Sequence, residues 1–151
     1  MATPPENPTQ ARRYAGLFRR LFAIFYDIFL LTAILLVIAA IAMQLNHGKA
    51  IETSDDFRPL YILFMFGICY LYFAWFWMHG GQTLGMKTWQ IQLHSIDQTP
   101  IDWKTAAIRF VGAIFSWGIL GLGFLWSLYD KKNRCWHDLS SKTILLDMRN
   151  T

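Results

Sequence analysis

Residues 21–45 read LFAIFYDIFLLTAILLVIAAIAMQL, an apolar run broken chiefly by Asp27 and Thr32. About 20 such residues are enough to cross roughly 30 Å of hydrocarbon as a helix. Four arginines, Arg12, Arg13, Arg19 and Arg20, stand just before it. Ala40-Ile41-Ala42 resembles a signal-peptide cleavage pattern. The apolar core of a signal peptide is normally only ~7–15 residues long and carries no charge, so the run is read as a retained transmembrane helix.

Composition agrees. Of 151 residues, 54% are hydrophobic, 17% aromatic and 16% charged, against about 25% charged in a typical soluble domain. Disorder needs the opposite balance, and a soluble chain of this length offers too little interior for so much apolar surface. The net charge of +4 sits beside the apolar runs rather than in one polar stripe, which favours anionic lipid as its partner over nucleic acid. Cys69 lies in an apolar run and Cys135 in a basic segment, a placement that does not suggest a disulfide framework.

Residues 1–12, with Pro4, Pro5 and Pro8, read as a disordered arm, residues 13–147 as one membrane domain and residues 148–151 as a tail. Three helices are expected, over about 21–45, 60–78 and 104–129. The second carries no charge and ends in Trp75-Phe76-Trp77, as at a headgroup boundary. A glycine-rich turn follows, with Gly81, Thr83 and Gly85. Residues 89–94 then alternate apolar and polar like a half-buried strand, and residues 143–146 could pair with them. Asp102 suits the N-cap of the third helix. That segment contains Arg109 and four glycines and is expected to break at Gly118. If it spanned, the basic tail would lie outside, against the positive-inside bias. A broken, re-entrant hairpin is therefore favoured over a third span. The expected fold is an all-α membrane protein of two spanning helices, a third broken or spanning segment and a small cytoplasmic β element, multi-pass in a plasma membrane (the bacterial inner membrane) with the N-terminus cytoplasmic.

Asp27 sits well inside the first run, and a carboxylate at the centre of a membrane helix costs about 2.5–3.5 kcal/mol on insertion scales. It needs a partner, water or a proton. Arg20 lies seven residues earlier, nearly two full turns, on a face shared with Gly16 and Ala23. This face reads as a packed seam. It either holds an Arg20–Asp27 polar pair that fixes helix orientation, or brings in a partner such as Arg109 from another segment.

An arginine entering the first helix, an aspartate within it and a late aspartate in a basic segment resemble the RDD family, through Arg20, Asp27 and Asp138. Asp130 is a weaker candidate for the third position. Gly81, Thr83 and Gly85 resemble the family's turn after its second helix, Arg109 the arginine of its third segment, and Thr143 the threonine after the final aspartate. Cys135 and Trp136 depart from the small or aliphatic residues expected there. The resemblance implies an integral membrane protein, with transport of an unidentified ligand or sodium–proton exchange among the activities suggested for the family.

Plainer roles stand beside these. Asp138 could be a local turn or helix cap. Cys135 and His137 offer too few ligands for a closed metal site, and the glycine-rich turn lacks the spacing of a phosphate or dinucleotide loop. No nucleophile, base and acid form a catalytic set. The expectation is a non-enzymatic protein with no metal and no cofactor. It acts as an accessory or assembly subunit of a homo-oligomer or partner complex through the Gly16-Arg20-Ala23-Asp27 face. The alternative is an oligomeric ion- or proton-coupled transporter using Asp27.

Overall fold

The structure is a computed structural model and describes residues 14–50, 56–119 and 121–149. The arm expected at 1–12 and the end of the expected tail lie outside these residues. Two helices are long and apolar enough to cross a membrane: α1 (Leu17–Leu45) and α2 (Arg58–Met78). The 29 residues of α1 extend roughly 43 Å at 1.5 Å per residue.

α1 starts four residues before the expected boundary. Hydrophobicity could not mark that start, because Arg19 and Arg20 are helical residues whose charges are matched by later parts of the chain. Arg19 Nη1 donates to Trp89 O (2.9 Å) and to Asp147 Oδ1 (3.0 Å). The helix stops at Asn46, and Gly48 follows with φ of 78°. Pro59 stands in the first turn of α2, where its missing N–H removes no helical bond.

After α2 the chain turns through Gly80 and Gly81, both at positive φ, into a short helix, α3 (Leu84–Thr88), beyond the turn read from sequence. Thr83 caps it, its Oγ1 accepting from Met86 N at 3.2 Å. The expected β element is present: β1 (Ile91–Ser95) pairs antiparallel with β2 (Thr143–Asp147), Leu93 opposite Leu145. β1 starts two residues later than the alternation suggested, because Gln90 adopts a positive φ of 51° before it. Tyr14 bridges to Leu146, and Ala15 N donates to Leu145 O (2.9 Å). The start of α1 therefore lies against the sheet.

α4 (Trp103–Gly118) opens on the expected cap, with Thr105 N donating to Asp102 Oδ1 at 2.9 Å. The segment then bends. α5 (Leu122–Leu125) and a 3-10 turn (Trp126–Leu128) follow at 108° to α4. Gly118 is still helical, and the left-handed residue is Gly121, at φ 75°. The bend thus falls beyond the expected glycine. A side chain at Gly123 would collide with Ser116, so glycine lets α5 fold back onto α4. α6 (Trp136–Ser140) completes the chain before β2.

α3 packs on α1, while α2 and α6 pack on α4. Ala15, Ala23, Ala74, Trp77, Met86, Ile91, Leu93, Ala106 and Leu145 form the main apolar core, gathered where the sheet and short helices meet the near ends of the long ones. Beyond Leu31 in α1, and before Ala74 in α2, no residue is buried.

Candidate functional site

Two separate polar sites are built around the buried carboxylates. The first centres on Asp138, which is 0% exposed. Cys135 caps α6, and Asp138 Oδ2 accepts from the Cys135 backbone N–H at 2.9 Å. This is the local cap considered from the sequence, but the same carboxylate also takes two guanidinium groups. Arg20 Nη1 donates to Oδ2 and Arg109 Nη1 to Oδ1. Arg20 is anchored further by Nε to Ala15 O (3.0 Å) and Arg109 by Nη1 to Thr143 Oγ1 (2.7 Å). Arg109 also lies over the Trp77 ring, 5.1 Å from its centroid, where the ring face attracts a cation.

Gly112 explains how α6 comes so near α4. A Cβ there would lie 3.1 Å from His137 Cβ and 3.2 Å from Ser140 Oγ. One turn before it, Arg109 faces Asp138. The Arg20–Asp138–Arg109 cluster thereby ties α1, α4 and α6 together, and through Thr143 it reaches β2.

The second site centres on Asp27, which is 2% exposed. Thr83 Oγ1 donates to its Oδ2 at 2.5 Å, and Gly85 N and Tyr72 Oη donate to its Oδ1 at 2.9 Å each. A Cβ on Gly85 would run into the Ala23 carbonyl, so only glycine lets α3 lie this close to α1. Thr83 and Gly85, read from the sequence as turn residues, bind the carboxylate directly.

Two expectations are corrected. Arg20 and Asp27 share a face of α1 but not a bond, because each is satisfied by a different later segment. Arg109 is a partner of Asp138 rather than of Asp27. On the Gly16-Arg20-Ala23-Asp27 face, Arg20, Ala23 and Asp27 are buried against the chain's own later segments, Ala23 and Asp27 by α3 and Arg20 by α6. Asp130, the other candidate for the third signature position, pairs locally with Arg134 (Nη2 to Oδ1, 2.9 Å) and takes no part in either site. The sequence reading missed Tyr72 and Trp77, which look like ordinary members of an aromatic helix. Only their position opposite a carboxylate and a guanidinium distinguishes them.

Cys135, His137 and Asp138 hold ligand-type atoms within 4.8 Å of one another. Both oxygens of Asp138 already accept from guanidinium groups, and the two arginines repel a metal cation. Burial also pushes the Cys135 thiol up to about 11, away from its thiolate form. Burial pulls the carboxyl of Asp138 upward, but Arg109 and Arg20 outweigh it and hold it well below the usual carboxylate range.

Burial, aided by both arginines, lowers His137 from 6.5 to about 3. Between these values the unfolded chain takes up a proton that the folded chain does not. This contribution to stability is therefore full well above pH 6.5 and is lost progressively, and more steeply below about pH 6, as pH falls towards about 3. Thermal unfolding of the purified protein between pH 7.5 and 5 should show this decline, and His137→Gln should flatten it. An equal decline in the variant would assign the proton elsewhere.

Arg20 Nη2, Arg109 Nε and Trp77 Nε1 are buried donors with no hydrogen-bond partner among the described residues. Leaving such a group dry costs about 1–3 kcal/mol.

No curated protein and no solved structure matches the chain. The sequence model of the RDD family matches residues 14–142, a stretch that holds Arg20, Asp27, Arg109 and Asp138. Together with its two membrane-spanning helices, this match shows that the chain belongs to the RDD family and is a membrane protein.

Proposed function

We propose that this RDD protein is an assembly or accessory subunit of a membrane complex, formed with copies of itself or with a partner protein. The observation that carries this reading is the unsupported half of the two spanning helices. No residue after Leu31 in α1 or before Ala74 in α2 is buried, and α1 packs on α3 rather than along α2. In lipid, helices associate through side-chain packing rather than hydrophobic expulsion, and these halves are free to supply it. Charge and contact both support an orientation for this reading. A cytoplasmic N-terminus in a plasma membrane obeys the positive-inside bias. The Tyr14–Leu146 bridge favours a re-entrant third segment that returns β2 to the side on which α1 starts.

A photocrosslinking residue at Val37 or Ile41, both exposed on α1, tests the reading in native membranes. Discrete dimer or partner adducts are expected, and adducts with lipid alone would contradict it. The second reading, sodium- or proton-coupled transport on Asp27, is favoured by one observation: Asp27 lines a cavity between α1 and α4. It requires flux in proteoliposomes that disappears in Asp27→Asn, whereas the assembly reading expects none.

A further inference from the structure

The cavity has features that neither the ionic cluster nor helix assembly uses. Its volume is about 320 Å³, at the small end of the roughly 300–1,000 Å³ typical of ligand sites. Arg20, Arg109 and Trp77 all line it, and each carries an N–H that is buried and unpartnered among the described residues. The three side chains are 3%, 2% and 6% exposed as residues. They lie together, since both arginines meet Asp138 and Arg109 covers the Trp77 ring. All three unpaired atoms are donors in any protonation state available to them. At this end of the cavity two guanidinium groups share the single carboxylate of Asp138, a local excess of positive charge that the Asp27 carboxylate balances only from roughly 10 Å along α1. Asp27 also lines the cavity, but three donors already engage its oxygens.

Apart from His137, the remainder of the lining is apolar. Eight residues beyond Arg20 and Arg109, roughly 12 Å along each axis, stand Ile28 and Trp117. They line the cavity and are also 46% and 55% exposed. The cavity thus opens sideways on the apolar flank of the molecule, between helices that a bilayer would surround.

We infer that this cavity binds a single-chain amphiphile with one small anionic head, a carboxylate or a phosphate monoester. The free N–H groups of Arg20, Arg109 and Trp77 take the head, and the chain leaves between Ile28 and Trp117. The volume takes one small head and part of one chain, and an anionic head is the acceptor that two guanidinium donors bind most strongly. The inference rests on the cavity alone and stands apart from the assembly reading.

The test uses the full chain in an uncharged detergent and, as the reporter, the part of the tryptophan fluorescence that is removed by Trp117→Phe, since Trp117 lines the cavity. Dibromostearate, whose bromines quench nearby indoles, should quench saturably. Palmitate or hexadecyl phosphate should relieve that quenching at concentrations at least about tenfold lower than hexadecanol does. Filling the cavity with Ala113→Phe, or Ala113→Leu if the larger side chain unfolds the protein, should weaken binding about tenfold or more while the unfolding midpoint is retained. Equal relief by the acid and the alcohol would overturn the inference, as would quenching that never saturates or a folded cavity-filling variant that binds as well as the parent.

Discussion

Asp138→Ala is expected to lower stability by about 3–5 kcal/mol, the usual result of removing one member of a buried ion pair. Arg20 and Arg109 would both remain in place without their shared carboxylate, at 3% and 2% exposure. α6 would also lose its cap at the Cys135 N–H. A loss of that size exceeds a large part of the margin by which most folded proteins are stable, so the variant should accumulate poorly or unfold at a much lower detergent concentration. Asp130→Ala, eight residues earlier, is the control. Its pair with Arg134 lies in a half-buried turn, where its carboxylate also accepts from the Lys132 and Arg134 backbone N–H groups, and its removal should cost about 1 kcal/mol, well below the loss expected at Asp138. Unfolding of the two purified variants side by side measures the contrast, and equal losses would mean that Asp138 is not the shared partner of two arginines.

Asp27→Ala should have the second largest effect, with the unusual feature that insertion and folded stability move in opposite directions. Removing a carboxylate from within a spanning helix makes insertion easier, by up to about 2.5–3.5 kcal/mol at the centre. The folded protein loses the acceptor that holds Thr83 Oγ1 and Gly85 N–H, both buried with α3 against α1. One or two stranded donors cost roughly 2–4 kcal/mol together. The expected result is better membrane integration in a translation assay but a lower unfolding midpoint, with faster proteolysis through the Gly80–Gly81 turn as α3 comes away. Asp27→Asn, which keeps one acceptor oxygen, should lie between the two. A variant that integrates better and is also as stable as the parent would show that α3 is held by something else.

Much of this architecture was legible in the chain because it rests on local periodicity. The two spanning helices follow from apolar runs, the strands from alternation and a β-prone segment, and the α4 cap from Asp102. The elements the sequence hid are those decided at long range. α3 is only five residues long, too short to show a helical period, and exists because Asp27 holds its first turn. The start of α1 was masked by Arg19 and Arg20, whose charges look like a boundary until their partners, more than a hundred residues later, are seen. The bend in the third segment moved from Gly118 to Gly121 because four glycines look alike in sequence, while only one adopts a left-handed φ there.

The candidate site was legible as a list of residues but not as a set of bonds. Arg20, Asp27, Arg109 and Asp138 stood out as charges in an apolar chain, and spacing placed the first two on one face of α1. Sharing a face says nothing about partners when the side chains are about 10 Å apart along the axis. Thr83 shows the same limit. Its family position marked it as part of a turn, yet its hydroxyl both caps α3 and binds Asp27.

The central claim is that Arg20 belongs to Asp138 and Asp27 belongs to α3. Two double-mutant cycles measured by unfolding of the purified protein test it most directly, one combining Arg20→Gln with Asp138→Asn and the other combining Arg20→Gln with Asp27→Asn. Coupling in the first pair should reach at least about 1.5 kcal/mol, and the second pair should be additive to within about 0.5 kcal/mol. Strong coupling between Arg20 and Asp27, with additivity between Arg20 and Asp138, would contradict the account.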